Sequence, residues 1–360
     1  MKLKERFLEA LKAEIVARKD YLQGDAVNTI YFGGGTPSLL SIKDIGELLH
    51  LINETYPVGK DPEITLEANP DTLSLAYLES LCQLGVNRLS IGIQSFFDND
   101  LQYLSRRHDS NHARQCIDWA KQAGFSNLSI DLIYGLPTSN TEQWNRNLDL
   151  FFELGLPHLS AYALTLEPNA ILTKQIELGK VPPVNEEDAL RDYEILCKRA
   201  AENGYLHYEI SNFCKSGMHS KHNASYWFGT PYVGFGPSAH SFDGSSRQWN
   251  VASVGKYIGA SPTTGRNRGA CSPVGKAPIV EKEVLSLEQQ YDEYVMLRLR
   301  THWGIDLKWL KREMGEHFST YCEQHAQPLI AQGRLSQTRE FLYLTDEQML
   351  FADGVAAELF

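Results

Sequence analysis

Between residues 28 and about 240, short β-rich runs alternate with helical stretches, and this alternation limits the folds open to the chain more than any other feature. The runs are NTIYF (28–32), EITLEA (63–68), RLSIGIQ (88–94), LSIDLIY (128–134), HLSAYALT (158–165) and YEISN (208–212). Between them lie patterns such as SIKDIGELLHLINETY, where Ser41 is placed to cap a helix and Asp44 follows three residues later. Repeated β–α units with buried, β-branched strands predict a parallel sheet, closed or partly closed, with helices outside. Nearly every run ends in a polar or glycine-rich cluster: Gly33–Thr36, Glu67, Gln94, Asp131, Thr165 and the 209–212 segment. In parallel α/β folds ligands bind at the carboxyl ends of the strands. A single polar residue there marks a turn as readily as a site, but six such ends converge on one mouth.

With 360 residues, 42% of them hydrophobic, the chain can bury one large core and a smaller second one. The net charge of −11 disfavours a nucleic-acid partner, and six cysteines scattered singly read as a reduced, cytoplasmic protein rather than a disulfide framework. The first twenty residues have no apolar signal-peptide core; Leu3, Phe7, Leu11 and Ile15 recur every four and predict an amphipathic helix. No apolar run reaches the roughly 18 residues of a membrane span; a looser membrane association is not readable. Residues 255–280 are rich in Gly, Ser, Pro and Thr and read as a linker between a core at 1–254 and a C-terminal domain at 281–360. That domain reads as helices at about 286–300 and 305–330, then two strands and a final helix, a small winged-helix-like module. Its 8 Lys/Arg against 14 Asp/Glu disfavour DNA.

The three glycines of YFGGGTPS (31–38) leave backbone amides and carbonyls as the binding surface. The stretch is neither GxGxxG nor a phosphate-binding P-loop. Asp131 and Gln94 suit vicinal hydroxyls such as those of a ribose, Arg106 suits a carboxylate, and Glu67 suits an ammonium or a sugar hydroxyl. Together they suit a zwitterionic amino acid joined to a nucleoside. Cys214, His219 and His222 form a C-x4-H-x2-H cluster, a weak zinc pattern with no fourth ligand nearby.

YFGGGTPS, TLEANP, RLSIGIQSF, IDLIYGLP, LTLEPN, YEISNF, HNASYW and GFGPSAHSF resemble the radical S-adenosylmethionine (SAM) proteins related to oxygen-independent coproporphyrinogen III oxidase. Within that group the chain looks most like the HemW-type heme chaperones, from about residue 1 to the C-terminus. The resemblance implies a partial (β/α)6 barrel that binds SAM at its mouth. It places Gly34, Gly35 and Thr36 against the methionine moiety, Glu67, Gln94, Arg106 and Asp131 as further SAM contacts, and Thr165 at a backbone contact to the adenosine part. The HNASYW stretch, with His222, Asn223, Tyr226 and Trp227, matches the signature of the chaperone branch; histidine ligates heme iron and aromatic faces pack on a porphyrin. The implied function is heme binding and transfer to acceptor proteins. The alternative is the oxidase, which decarboxylates propionates by SAM-dependent radical chemistry.

Members of the family also carry a first strand followed by CxxxCxxC, whose thiolates hold a [4Fe–4S] cluster. Residues 1–360 contain no such spacing. The expectation is therefore a barrel missing its first strand, with no cluster ligands and unable to cleave SAM as written. NTIYF would then be an unpaired, association-prone edge.

Overall fold

The computed structural model describes residues 3–166, 168, 170–260 and 279–360. Its centre is a seven-stranded sheet in the order β1 (Val27–Phe32), β2 (Val58–Ala68), β3 (Arg88–Gln94), β4 (Asn127–Tyr134), β5 (His158–Ala163), then β7 (Asn212–Cys214) and β6 (Leu206–Glu209). The pairs from β1 to β5 are all parallel. The sheet curls into a half-barrel.

Strand alternation decides what each face carries. On β2, Ile64, Leu66 and Ala68 enter the apolar core, joined by Leu89, Ile91 and Ile93 of β3 and Leu128, Ile130 and Leu132 of β4. Helices α2 (Ile42–Thr55), α3 (Leu75–Gln83), α5 (Ser110–Gln122) and α6 (Thr141–Glu153) close this core with Leu49, Leu78, Ile117 and Phe151. The intervening residues, among them Thr65, Glu67, Arg88, Ser90, Ser129 and Asp131, face the opposite, concave side. Ser41 and Asp44 form a full capping box at α2, as their spacing predicts.

The last piece of the sheet departs from the sequence reading. YEISN is not one strand: the chain reverses at Ile210–Ser211, and β7 runs antiparallel to β5. Two polar backbone groups at the reversal are taken up outside the hairpin, Ser211 O by Ala161 N (2.8 Å) and Ile210 N by Arg300 O (3.1 Å). An antiparallel strand ends the β–α repetition, so the sheet stops short of closure. The opening is crossed by α9 (Lys221–Trp227), the HNASYW segment. Its first amides are capped by Glu63 of β2, which accepts from Lys221 N at 3.0 Å and His222 N at 2.9 Å.

β1 forms the edge of the sheet among the described residues, as expected, but α9 packs along it. Helix α1 (Leu3–Ala17) adds further cover through Leu8 and Ile15, against which Val27 and Phe32 pack. Leu3, assigned to the apolar stripe, is instead 63% exposed. Glu14 of α1 is buried and accepts from Gly236 N, Asn250 Nδ2 and the Tyr257 hydroxyl at 2.6–2.9 Å.

Both ends of the expected linker carry regular structure, helix α10 (Val254–Ala260) at its start and strand β10 (Ile279–Val284) at its finish; 261–278 lie outside the described residues. β10 pairs antiparallel with β9 (Ser246–Asn250), which pairs with β8 (His240–Phe242). The C-terminal part has its own core, containing Val295, Leu310, Cys322, Leu329 and Leu342. Helices α11 (Leu287–Leu299), α12 (Leu307–Glu313), α13 (Glu316–Ala331) and α14 (Ala352–Ala357) surround a small sheet ordered β11 (Ile305–Asp306), β13 (Phe341–Tyr343), β12 (Ser336–Gln337). The single helix expected at 305–330 is divided at Gly315, whose φ of +99° continues no helix. Among the described residues no helix is long and apolar enough to cross a membrane.

Candidate functional site at the mouth and wall of the half-barrel

The glycine run leaves β1 directly beside the end of β2. A Cβ on Gly33 would lie 2.6 Å from Tyr31 Cε1 and 2.9 Å from Glu67 Oε1, and Gly34 takes φ +74°, so both positions need glycine. The Gly35 position is open, with nothing within 4 Å of a Cβ placed there. Glu67 ties the loop down: it accepts from the Tyr31 hydroxyl at 2.7 Å and from Gly34 N at 3.3 Å. Thr36 Oγ1 accepts from Asn69 Nδ2 at 3.5 Å, joining TLEANP to the same loop.

Asp131 accepts from Ser90 Oγ at 3.2 Å. Burial, with the Glu67 charge adding, pushes its pKa from 3.8 up to about 6. Arg106 follows α4 (Asp98–Tyr103) through a turn in which Ser105 takes φ +54° and Arg106 N donates to Leu101 O at 2.8 Å. It is half-buried; burial lowers its pKa while Asp131 and Asp71 oppose the shift. Gln94 has φ +70°, which bends its side chain back over Gly92, where a Cβ would meet Nε2 at 2.8 Å. Thr165 lies just past β5 and is exposed. The loop, Glu67, Asp131 and Arg106 thus share one electrostatic field, with Gln94 and Thr165 on the same strand-end rim.

The HNASYW residues lie on the wall rather than the rim. His222 Nδ1 is 2.8 Å from Thr29 Oγ1 and Nε2 is 3.0 Å from the Tyr226 hydroxyl. The ring stacks on Tyr31 at 4.7 Å and 18°. Burial lowers its pKa to about 4. Tyr226, 39% exposed, meets the imidazole edge-on at 5.1 Å, while Phe228, 48% exposed, packs on Trp303 instead. Asn223 N is taken up by the Ser220 cap at 3.2 Å, and Trp227 is half-buried. Cys214, His219 and His222 do not converge: Cys214 is buried in β7, His219 packs near Tyr208 and Trp303, and His222 meets Thr29. Among the described residues no three His, Cys, Asp or Glu side chains group as a metal site.

Sequence reasoning missed Tyr31, which connects the two places: its hydroxyl holds Glu67 and its ring carries His222. Burial and the Glu67 charge raise its pKa, keeping it a donor. Its period-2 spacing from Gly33 was the available signal.

Residues 3–151 match the radical SAM superfamily and residues 285–351 the HemN C-terminal domain. The chain is 31% identical to the heme chaperone HemW of Bacillus subtilis, covering 98% of this chain and 90% of that one. It is 33% identical to the Escherichia coli heme chaperone HemW, covering 94% and 85%. The chain belongs to the HemW family of radical SAM proteins. The solved coproporphyrinogen III oxidase (HemN) of Escherichia coli superposes with a TM-score of 0.82 at 22% identity, over all of this chain and 84% of that one, which establishes the shared fold.

Membership carries SAM and a [4Fe–4S] cluster as cofactors of the superfamily. The mouth offers the chemistry SAM would need: bare backbone at Gly34 and Gly35, a guanidinium at Arg106 with no ion pair among the described residues, and carboxylates at Glu67 and Asp131. The described cysteines do not make a cluster site among themselves. Cys116 and Cys322 are buried in separate cores, and burial pushes Cys116, Cys197 and Cys214 up to between about 11 and about 12.

Proposed function

We propose that this protein binds SAM at the mouth and heme at the wall, and passes heme to acceptor proteins. In the SAM reading, Gly34, Gly35 and Thr36 receive the methionine end and Arg106 its carboxylate. Asp131 takes the ribose hydroxyls, with Glu67, Gln94 and Thr165 completing the contacts. SAM, when bound, brings a sulfonium and an adenosine to this rim; the protein's part is to orient them and exclude water.

The heme reading rests above all on the state of His222. A pKa near 4 leaves the imidazole neutral at physiological pH. In the tautomer with Nδ1–H donated to Thr29 Oγ1, the Nε2 lone pair accepts from the Tyr226 hydroxyl, which has to turn aside for iron to reach it. An imidazole fixed through one nitrogen, its other nitrogen held only by a hydroxyl that can rotate away, suits an iron ligand. Asn223, Tyr226 and Trp227 then flank the macrocycle.

Hemin titration tests the reading. The wild-type protein should bind one equivalent with a Soret shift, and His222→Ala should lose at least tenfold in affinity while its far-UV spectrum stays unchanged. Equal binding by both proteins would sink it. Turnover of coproporphyrinogen to a vinyl product would instead favour oxidase chemistry.

A further inference from the structure

The concave face carries one group that neither proposed ligand uses. Arg88, the first residue of β3, is 1% exposed, yet it makes no hydrogen bond and no ion pair among the described residues, and its Nε is an orphaned buried donor. It does not stand alone. The parallel register places Thr65 of β2 on one side of Arg88 and Asn127 of β4 on the other. Thr65 Oγ1 and Asn127 Oδ1 are also buried without partners. Three adjacent strands thus present three unsatisfied polar groups in one row. Turning the Asn127 amide end for end makes all three donors.

The nearby carboxylates are turned to other donors, and none pairs with Arg88 among the described residues. Glu67 is taken by Tyr31 and Gly34, Glu63 by the first amides of α9, and Asp131 by Ser90. The Arg88 charge is nevertheless felt at Tyr31, Asp131, His158 and His222, which places the guanidinium among groups on both the mouth side and the wall side. A buried cation without a counterion is costly, whereas a guanidinium fork matches a carboxylate in two hydrogen bonds. Below the row lies a surface cavity lined by Asp61, Glu63, Lys221 and Asn127 itself, so the Asn127 end of the row reaches this floor, where two carboxylates face one ammonium.

We propose that Arg88, with Thr65 and Asn127, forms a carboxylate-binding subsite inside the half-barrel. The carboxylate belongs either to a side arm of the heme or to a free small acid, and the two arms of one experiment separate these sources. The heme arm rests on the function proposed above; the small-acid arm does not. Sodium acetate is compared with sodium chloride at equal ionic strength, and melting temperature is read for wild type and Arg88→Met. Hemin and hemin dimethyl ester are then titrated into both proteins.

Acetate should raise the melting temperature of the wild type and leave Arg88→Met unmoved. Without acetate the variant should melt at or above the wild type, because an unpaired buried charge has been removed. A carboxylate on the heme predicts that wild type binds hemin about tenfold tighter than the ester, the size of one charge-assisted contact, and that the ratio vanishes in the variant. A ratio of one with a retained acetate effect assigns the subsite to free acids. Equal acetate responses together with an unchanged ratio overturn the subsite. If wild type binds no hemin, the heme reading falls and the acetate arm alone decides the subsite. Should Arg88→Met fail to melt cooperatively, Arg88→Gln replaces it in both arms.

Discussion

The two faces of the central sheet are built from the same strands and obey opposite rules. On the convex face Leu66, Leu89, Ile91 and Ile130 have no exposed surface and touch apolar neighbours only through packing. On the concave face Thr65, Arg88, Ser90 and Asp131, one residue away along the chain, are polar, and Thr65 Oγ1 and Arg88 Nε lack partners. The interiors of closed (β/α)8 barrels are instead filled by layers of branched aliphatic side chains. The helix side carries the apolar burial that drives folding, while the inner side keeps polar groups without partners among the described residues.

This contrast can be broken in three ways. The largest effect lies on the convex face: Leu66→Ala should cost about 2–5 kcal/mol in chemical denaturation, since it opens a cavity in a fully buried layer. A loss under 1 kcal/mol would mean that the helix side is not the dominant core.

The second change concerns Asp131. Its folded pKa of about 6 lies above the ordinary 3.8, so between these values the folded state holds a proton that the unfolded chain has released. Stability from this group is therefore highest below the window and falls as pH rises through it. Asp131→Asn should remove that slope and stabilise the chain at pH 7 by about 1–3 kcal/mol, while weakening SAM binding. His222, whose pKa is lowered to about 4, has the opposite slope over a similar range, so the difference between wild type and variant isolates Asp131. Parallel pH–stability curves for the two proteins would contradict the assignment.

The smallest stability effect belongs to Gly35→Ala. Nothing surrounds that position, and the melting curve should move by no more than about 0.5 kcal/mol. SAM affinity, measured by calorimetry, should still fall several-fold, because the added methyl group stands where the ligand meets the backbone. Unchanged affinity would remove Gly35 from the site.

Much of this was readable from residue order. The strands of the parallel region, the Ser41–Asp44 cap and the rim residues Glu67 and Asp131 all follow from local pattern. What escaped was set by pairing between distant segments. Arg88 faces Thr65 and Asn127 only because three strands fall into one register, and Glu63 caps a helix 158 residues further on. The hairpin at 206–214 was hidden because YEISN alternates well enough for a single strand, and its reversal depends on backbone partners at Ala161 and Arg300. The division at Gly315 escaped because a lone glycine is tolerated in many helices.

The stacking of His222 on Tyr31 has a thermodynamic corollary. Tyr31 is one lever with two ends: its hydroxyl positions Glu67 at the mouth and its ring positions the imidazole at the wall. Should SAM at the mouth and heme at the wall both act on Tyr31, linkage requires their influence on each other to be equal in both directions. SAM should therefore change heme affinity by the same factor that heme changes SAM affinity, and Tyr31→Phe, which keeps the ring and cuts the hydroxyl, should bring that factor to one.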